Sequence, residues 1–284
     1  MTGRVFAVAS GKGGVGKTTT AVNVAAAMTE AGRSVVLVDY DLGMANVGAV
    51  LDVSAGDATL HDVLAGDADS LDAVAAAPGG FDAVVGGTAI EDFGRADPSK
   101  FREVADALRE EYDVVVVDTG GGLSHDTTVP LGLADDTVLV STPQVAALEN
   151  TRKTLELAER VGGSVAGLVL NRVGASSVDV DEEVESMDVD VLGTIPEDST
   201  VADSEDAGEP VVTFAPESPA AQLFREFGYE LLGESPPVSF RDGEGESEAA
   251  GAALAEVMAE EEESKKRSLL SRVTGGLLGS NGNN

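Results

Sequence analysis

The chain has 284 residues, 43% of them hydrophobic, which is enough for one sizeable core, so we expect one folded domain followed by a tail. Its 51 Asp and Glu against 18 Lys and Arg give a net charge of −33, which indicates a solvated surface suited to concentrated salt and leaves no basic stripe for nucleic acid. The sequence contains no cysteine, which excludes disulfides, thiolate-bound metals and cysteine-held iron–sulfur clusters.

The sequence also lacks the usual signals for membrane insertion and export. No stretch approaches the roughly 18 consecutive apolar residues that a spanning helix needs. The first residues begin a strand-like run without the charged, apolar and cleavage regions of a secretion signal. We therefore expect a cytoplasmic protein.

Apolar runs of strand length alternate with longer amphipathic stretches. Strands buried on both faces are predicted at 4–10, 34–39, 113–118, 136–141 and 164–171, with shorter candidates at 81–87 and 188–194. Helical spacing occupies 17–31, 98–110, 145–160 and 217–232. This alternation predicts an α/β fold, a doubly wound, mostly parallel sheet with helices on both faces.

Polar residues follow four of the predicted strands at the point where each strand ends. They are Gly11, Asp39, Asp118 and Asn171. Because ligands of such sheets bind beyond the carboxyl ends of the strands, we expect the functional site at this edge.

The character of the sequence changes near residue 236. We predict a folded domain at 1–235, a flexible acidic linker at 236–264 and a basic-apolar tail at 265–284. In the tail, Leu269 and Val273 are four residues apart between basic residues, so a short helix there would have one apolar and one basic face. A disordered, unattached tail is the alternative.

The stretch "GKGGVGKTT" after the first strand fits the pattern of a phosphate-binding loop. Gly11 and Gly16 are spaced as the pattern requires, and Lys17 and Thr18 complete it at the start of a helix. Glycines allow backbone N–H groups to face the phosphates, Lys17 reaches the β- and γ-phosphates, and the Thr18 hydroxyl is a ligand for Mg²⁺. Lys12 is not required by this pattern.

Two further segments supply carboxylates at the same edge. Asp39 and Asp41 are two residues apart, so in extended chain they share a face directed at the phosphates. Asp118 follows a run of four valines and is predicted to orient Mg²⁺ through water. His125, shortly after, is predicted to be a polar surface residue, because phosphoryl transfer needs no strong base.

The loop resembles the deviant Walker-A motif of the MinD/ParA family of ATPases, and the "DYDLG" and "GTIPED" segments favour the MinD branch. The resemblance spans about residues 3 to 235 and, with the acid excess, suggests a halophilic archaeal origin. It implies an ATP- and Mg²⁺-dependent homodimer in which Lys12 reaches the ATP of the partner subunit. The ATP-binding segment that it implies comprises Gly11, Lys12, Gly13, Gly14, Val15, Gly16, Lys17, Thr18 and Thr19.

The resemblance also assigns roles to the carboxylates and the base-binding end. Asp39 and Asp118 serve Mg²⁺, and Asp41 positions the attacking water. The adenine contacts implied by the resemblance are Asn171, Arg172, Pro196, Glu197 and Asp198. The chain departs from the family after Asp118, where Gly120-Gly121 replaces Pro-Ala, and added glycine is expected to loosen this loop.

MinD proteins end in a short amphipathic helix that lies on the membrane, so the tail at 265–284 is a candidate membrane-binding segment. The chain is thus predicted to be a MinD-like ATPase that dimerises on ATP and positions a division site or polar structure at the inner membrane face. An activator or cargo protein is an expected partner, and nucleic acid is not. Two alternatives remain at this stage: a ParA-like DNA-partitioning ATPase, and an ATP-binding switch with little turnover.

Overall fold

The computed structural model describes residues 2–122, 125–174, 177 and 180–236. Its sheet has eight strands: β1 (Arg4–Ser10), β2 (Val35–Tyr40), β3 (Val74–Ala76), β4 (Asp82–Val84), β5 (Val114–Gly121), β6 (Asp136–Ser141), β7 (Val165–Val173) and β8 (Val191–Pro196). The strand order is β3-β4-β2-β5-β1-β6-β7-β8, and only β3 pairs in antiparallel fashion. The predicted doubly wound, mostly parallel sheet is confirmed.

Helices cover the sheet on both faces. They are α1 (Lys17–Glu30), α2 (Val47–Val50), α3 (Leu60–Ala65), α4 (Ile90–Phe93), α5 (Phe101–Glu111), α6 (His125–Leu133), α7 (Val145–Arg160), α8 (Asp181–Glu185), α9 (Ser199–Asp206), α10 (Val211–Phe214) and α11 (Pro219–Leu232), with 3₁₀ turns at Ser70–Ala73 and Pro98–Lys100. None of the described helices is long and apolar enough to cross a membrane.

The central strands are apolar throughout because both of their faces are buried. In β5, Val114 and Val116 join the core formed with α1 and α11, whereas Val115 and Val117 join the core formed with α3 and α5. This alternation follows from the two-residue period of a strand. The parallel pairing of the strands brings the polar ends of β1, β2, β5 and β7 to one edge of the sheet.

Several elements differ from the predicted ones. The strand expected at 81–87 is only three residues long, and β3 beside it was not predicted. Helix α6 was also missed, since it contains Pro130. Strands β5 and β7 run beyond their predicted ends, to Gly121 and Val173. The linker and tail expected at 236–264 and 265–284 lie outside the described residues, except for residue 236.

Candidate functional site

At several positions in the segment between β1 and α1, the backbone conformation or the packing around it suits only glycine. Gly14 and Gly16 have positive φ values of 79° and 90°. A methyl group at Gly11 would lie 2.2 Å from the carbonyl carbon of Asn150, so this glycine allows α7 to pack directly against the loop. Within the described part of the chain, nothing accepts a hydrogen bond from the backbone N–H groups of residues 13–18. These groups are therefore available to bind phosphate.

Lys17, Thr18 and Asp118 form one bonded cluster at the start of α1. The Lys17 ammonium donates to Asp118 Oδ1 at 2.6 Å, and the Thr18 hydroxyl lies 2.6 Å from Asp118 Oδ2. Asp118 is completely buried and Lys17 nearly so. Burial raises the pKa of Asp118, and the positive charge of Lys17 opposes this rise. The cation thus lowers the cost of ionising the buried carboxylate.

Asp39 lies beside Asp118, as its register partner on β2, and is also completely buried. Its Oδ2 accepts from the backbone N–H groups of Asn46, at 2.8 Å, and Val47, at 2.9 Å. Burial first, and then the Asp118 charge, raise the pKa of Asp39 to about 7. The carboxylate therefore fixes the segment after β2.

The raised pKa of Asp39 predicts a pH dependence of stability. The pKa of Asp39 is near 7 in the folded state and near its ordinary value in the unfolded state, so between these two values the folded state binds more protons. The free energy of unfolding therefore rises as pH falls from 8 to 5.5. Asp39→Asn should make this rise smaller; the part that comes from Asp118, whose pKa burial also raises, should remain. Urea unfolding of both proteins at the two pH values tests it, and equal pH slopes would contradict it. Asp62, Asp97 and Asp113 have lowered pKa values and titrate below this window.

Asp41 and Lys12 are the two predicted catalytic residues that face solvent. Asp41 is partly exposed, and its Oδ1 accepts from the Met44 N–H at 3.1 Å. The Lys12 side chain is exposed, and no described residue bonds to its ammonium group. Its backbone carbonyl accepts from Ser10 Oγ at 3.0 Å. The loop thus holds the Lys12 backbone, and the Lys12 side chain faces solvent.

The glycines after Asp118 belong to a strand: β5 includes Gly120 and Gly121, whereas the predicted strand ends at Asp118. Strand β5 continues through both, because Gly121 pairs with Ser10 of β1 and Thr119 pairs with Tyr40 of β2. The Gly122 N–H also donates to the Ser10 carbonyl at 3.0 Å. The neighbouring strands supply hydrogen-bond partners, which overrides the weak strand preference of glycine.

Gly121 brings β5 against the phosphate loop, and a larger side chain there is expected to disturb it. A methyl group at position 121 would lie 3.2 Å from Gly13 N, whereas one at Gly120 would lie 3.5 Å from Asp41 Oδ1, an ordinary contact. We expect Gly121→Ala to weaken Mg-ADP binding by about threefold to tenfold, since close-packed regions transmit such shifts, and Gly120→Ala to leave it unchanged. Calorimetric titration of both variants measures this. Equal affinities in the two variants would refute the packing argument.

The residues predicted to contact adenine differ from one another in burial and in hydrogen-bond partners. Asn171 is buried against the loop: its Nδ2 donates to the Val15 carbonyl at 2.9 Å, and its Oδ1 accepts from the Arg172 N–H at 2.9 Å. Arg172 is exposed with a φ of 57°, the left-handed region that arginine seldom adopts. These bonds show Asn171 holding the phosphate loop in position.

The segment after β8 carries the remaining predicted contacts. Pro196 ends the strand, and Glu197 is exposed. Asp198 caps two helices: Oδ1 accepts from the Thr200 N–H at 2.9 Å and Oδ2 from the Ala220 N–H at 3.3 Å. Both of its oxygens therefore serve the starts of α9 and α11 in this structure.

Other residues at the site were not predicted. The Thr18 hydroxyl also lies 3.1 Å from Asn46 Oδ1, and the Thr19 hydroxyl donates to Glu205 of α9. Asn46 directly precedes α2, at the N-cap position where Asn is preferred. This preference explains the residue type but does not indicate its contact with Thr18. The side chain of His125, at the start of α6, lies outside the described residues.

A family model described as the CobQ/CobB/MinD/ParA nucleotide-binding domain matches residues 6–211. The chain belongs to this family. An ATP-binding protein of Methanocaldococcus jannaschii without an assigned function is 34% identical over 230 residues, which cover 80% of this chain and 87% of that protein. The septum site-determining protein MinD of Bacillus subtilis is 27% identical, with 83% of this chain and 91% of that protein covered.

Solved MinD structures are similar to this MinD/ParA-family chain over nearly their whole length. The cell division ATPase MinD of Pyrococcus furiosus superposes with a TM-score of 0.77 at 35% identity, covering 81% of this chain and 99% of that one. MinD of Pyrococcus horikoshii, complexed with Mg-ADP, gives 0.76 at 36% identity and covers 80% and 95%.

ATP and Mg²⁺ fit the residues of this site. The free N–H groups of residues 13–18 and the Lys17 ammonium would hold the phosphates. The oxygens of Thr18, Asp118 and Asp39 are of the hard type that Mg²⁺ prefers. When bound, the ion neutralises charge on the phosphate oxygens.

Proposed function

We propose that this MinD/ParA-family protein is a Mg²⁺-dependent ATPase that dimerises on ATP and acts as a spatial regulator at the inner face of the cell membrane. The observation that carries the proposal is the pair of lysines in one loop. Lys17 is buried and paired with Asp118, whereas Lys12 is exposed and its ammonium group has no partner among the described residues. One lysine serves the phosphates bound by its own subunit, and the other is available to a second subunit.

The chemistry assigned to the site is hydrolysis of the terminal phosphate bond. Phosphoryl transfer is accelerated chiefly by positioning and by cations near the charge that develops in the transition state. Lys17 binds the phosphates, Asp41 orients the attacking water from the loop after β2, and Lys12 of the second subunit supplies the further cation. Turnover therefore depends on dimerisation.

An attachment to membrane is the second part of the proposal and rests on the sequence of the tail. One short amphipathic segment binds a bilayer weakly, and two in a dimer bind more tightly through effective concentration. ATP-dependent flotation with anionic liposomes should be stronger for the full chain than for one that ends at Glu263. Equal flotation would exclude the tail as the anchor.

The test of the ATPase itself compares turnover with oligomeric state. Phosphate release per subunit is measured over a wide range of protein concentration, and light scattering after gel filtration gives the mass with a non-hydrolysable ATP analogue and Mg²⁺. We expect slow turnover that rises with concentration, and a dimer with the analogue. A protein that remains monomeric and hydrolyses ATP at a constant rate per subunit would refute the proposal.

The cellular role needs a separate experiment. A fluorescent fusion is expected to concentrate at the membrane or at a defined position in the cell. The same fusion carrying a Lys17 substitution is expected to spread evenly, because it cannot bind nucleotide. Identical distributions would refute ATP-dependent positioning.

A further inference from the structure

A histidine with no assigned role lies between two loops beside the site. His61 is the second residue of α3 and is only 2% exposed. Its Nε2 lies 3.0 Å from the carbonyl oxygen of Leu42, and its Nδ1 accepts from the Gly87 N–H at 2.8 Å. The ring thus connects the segment after β2 with the segment after β4.

These two partners determine the protonation state of the ring. A backbone N–H only donates, so Nδ1 facing Gly87 must be the unprotonated nitrogen. A carbonyl oxygen only accepts, so Nε2 facing Leu42 must carry the proton. The arrangement requires the neutral Nε2–H tautomer of His61.

Leu42 directly follows Asp41, the residue assigned to the attacking water. The chain continues to Asn46, whose side chain contacts the Thr18 hydroxyl at 3.1 Å. A methyl group at Gly86 would lie 2.5 Å from Ala45 Cβ and 3.4 Å from a ring carbon of His61. The ring and this glycine therefore pack directly beneath the segment 41–46, which we call the Asp41 loop.

The Asp41 loop is anchored at both ends by buried side chains. Asp39 holds its end through the N–H groups of Asn46 and Val47, and His61 holds its beginning through the Leu42 carbonyl. The Asp41 carboxylate itself accepts from Met44, within the same loop. Its placement relative to the phosphate loop is consequently set by these two anchors together with the contact between Asn46 and Thr18.

We propose that His61, as the neutral Nε2–H tautomer, is a positioning residue that fixes the Asp41 loop for ATP hydrolysis. This inference rests on the proposed ATPase function. His61 is not a catalytic residue, because its ring is buried and both nitrogens are bonded to backbone. Its effect on the reaction passes through Leu42 to Asp41.

The main experiment compares His61→Phe with His61→Gln. Phenylalanine fills the space but bonds to neither backbone group, whereas the glutamine amide offers one acceptor and one donor. We expect His61→Phe to lower kcat by about 10-fold to 100-fold, since small misplacements near a reacting group have effects of this size, with Mg-ADP affinity unchanged. His61→Gln should recover most of kcat. A wild-type kcat in His61→Phe would overturn the proposal.

Leu64→Ala is the matched control for loss of stability. Leu64 lies on the same helix and is completely buried in the core, so its truncation weakens α3 while leaving both hydrogen bonds of His61 intact. We expect a lower melting temperature with an unchanged kcat. An equal loss of kcat in Leu64→Ala and His61→Phe would reduce His61 to a structural residue and overturn the proposal.

Two measurements without ATP turnover separate this inference from the proposed function. Amide hydrogen exchange at Met44 and Asn46 should accelerate in His61→Phe but not in His61→Gln or Leu64→Ala. The chain has only two histidines, so nitrogen NMR in a His125→Gln background reports on His61 alone. A charged ring, an Nδ1–H tautomer or unchanged exchange would overturn the proposal. If the wild-type protein shows the expected hydrogen exchange and tautomer but no ATP turnover, only the proposed ATPase function is refuted.

Discussion

Lys12→Ala is expected to abolish ATP turnover while Mg-ADP affinity and thermal stability stay at the wild-type values. The Lys12 side chain is exposed, and nothing in the described structure bonds to its ammonium group, so its removal costs the fold nothing. A cation supplied by a second subunit to a phosphoryl-transfer site is worth about 10³-fold to 10⁵-fold in kcat. Phosphate release, calorimetric titration with Mg-ADP and thermal melting measure the three quantities.

Lys153→Ala is the control for general charge effects in a chain with a net charge of −33. Lys153 is exposed on α7, and its Nζ lies 3.3 Å from Oδ1 of Asn150, the residue against which Gly11 packs. It is therefore a lysine near the same loop without an assigned role. A loss of turnover in Lys153→Ala equal to that in Lys12→Ala would show that local charge, and not one cation, is responsible.

A mixing experiment distinguishes action on the partner from action within one subunit. Lys12→Ala retains Asp41, and Asp41→Asn retains Lys12, so a mixed dimer has one complete site, on the Lys12→Ala subunit. An equal mixture should regain about a quarter of wild-type turnover, since half of the dimers are mixed and each has one active site of two. If Lys12 acts within its own subunit, the mixture stays inactive.

The sequence was sufficient to predict the central sheet because its strands have an unambiguous pattern. The four valines before Asp118 alternate between two cores, which is possible only for a strand buried on both faces. The two strands at one side of the sheet were harder to predict: β3 and β4 have three residues each, too few for any period to appear. The extension of β5 to Gly121 was not predicted because its strand pairing comes from β1 and β2, far away in sequence.

At the site, too, residues with a local sequence pattern were predicted, whereas those whose contacts arise only in the fold were not. Lys17 and Thr18 were predicted from a motif whose spacing directly reflects its chemistry, and Asp118 from its position at the end of an apolar strand. The structure bonds the three together. Asn46 and His61 were missed because their partners become neighbours only in the fold. Asp198 was assigned to adenine, yet both of its oxygens cap helices, a role that depends on where α11 begins.

Lys17→Met is expected to destroy nucleotide binding and also to destabilise the protein. In contrast to Lys12, Lys17 is buried and pairs with the completely buried Asp118 at 2.6 Å. Its removal leaves an unpaired buried charge, which lowers the free energy of unfolding by about 3–5 kcal/mol. Urea unfolding at pH 8 measures the loss, and Lys12→Met is the control, with no loss expected.

The double variant Lys17→Met/Asp118→Asn separates the two effects of Lys17. Asparagine removes the unpaired charge, so stability should return toward the wild-type value, whereas Mg-ADP binding should remain absent because the phosphates still lack their lysine. Burial raises the pKa of Asp118, and loss of Lys17 raises it further, so the defect of the single variant should shrink as pH falls and the carboxylate is protonated. A single variant as stable as wild type at pH 8, or a double variant that binds Mg-ADP, would contradict the role of Lys17 at both the buried pair and the phosphates.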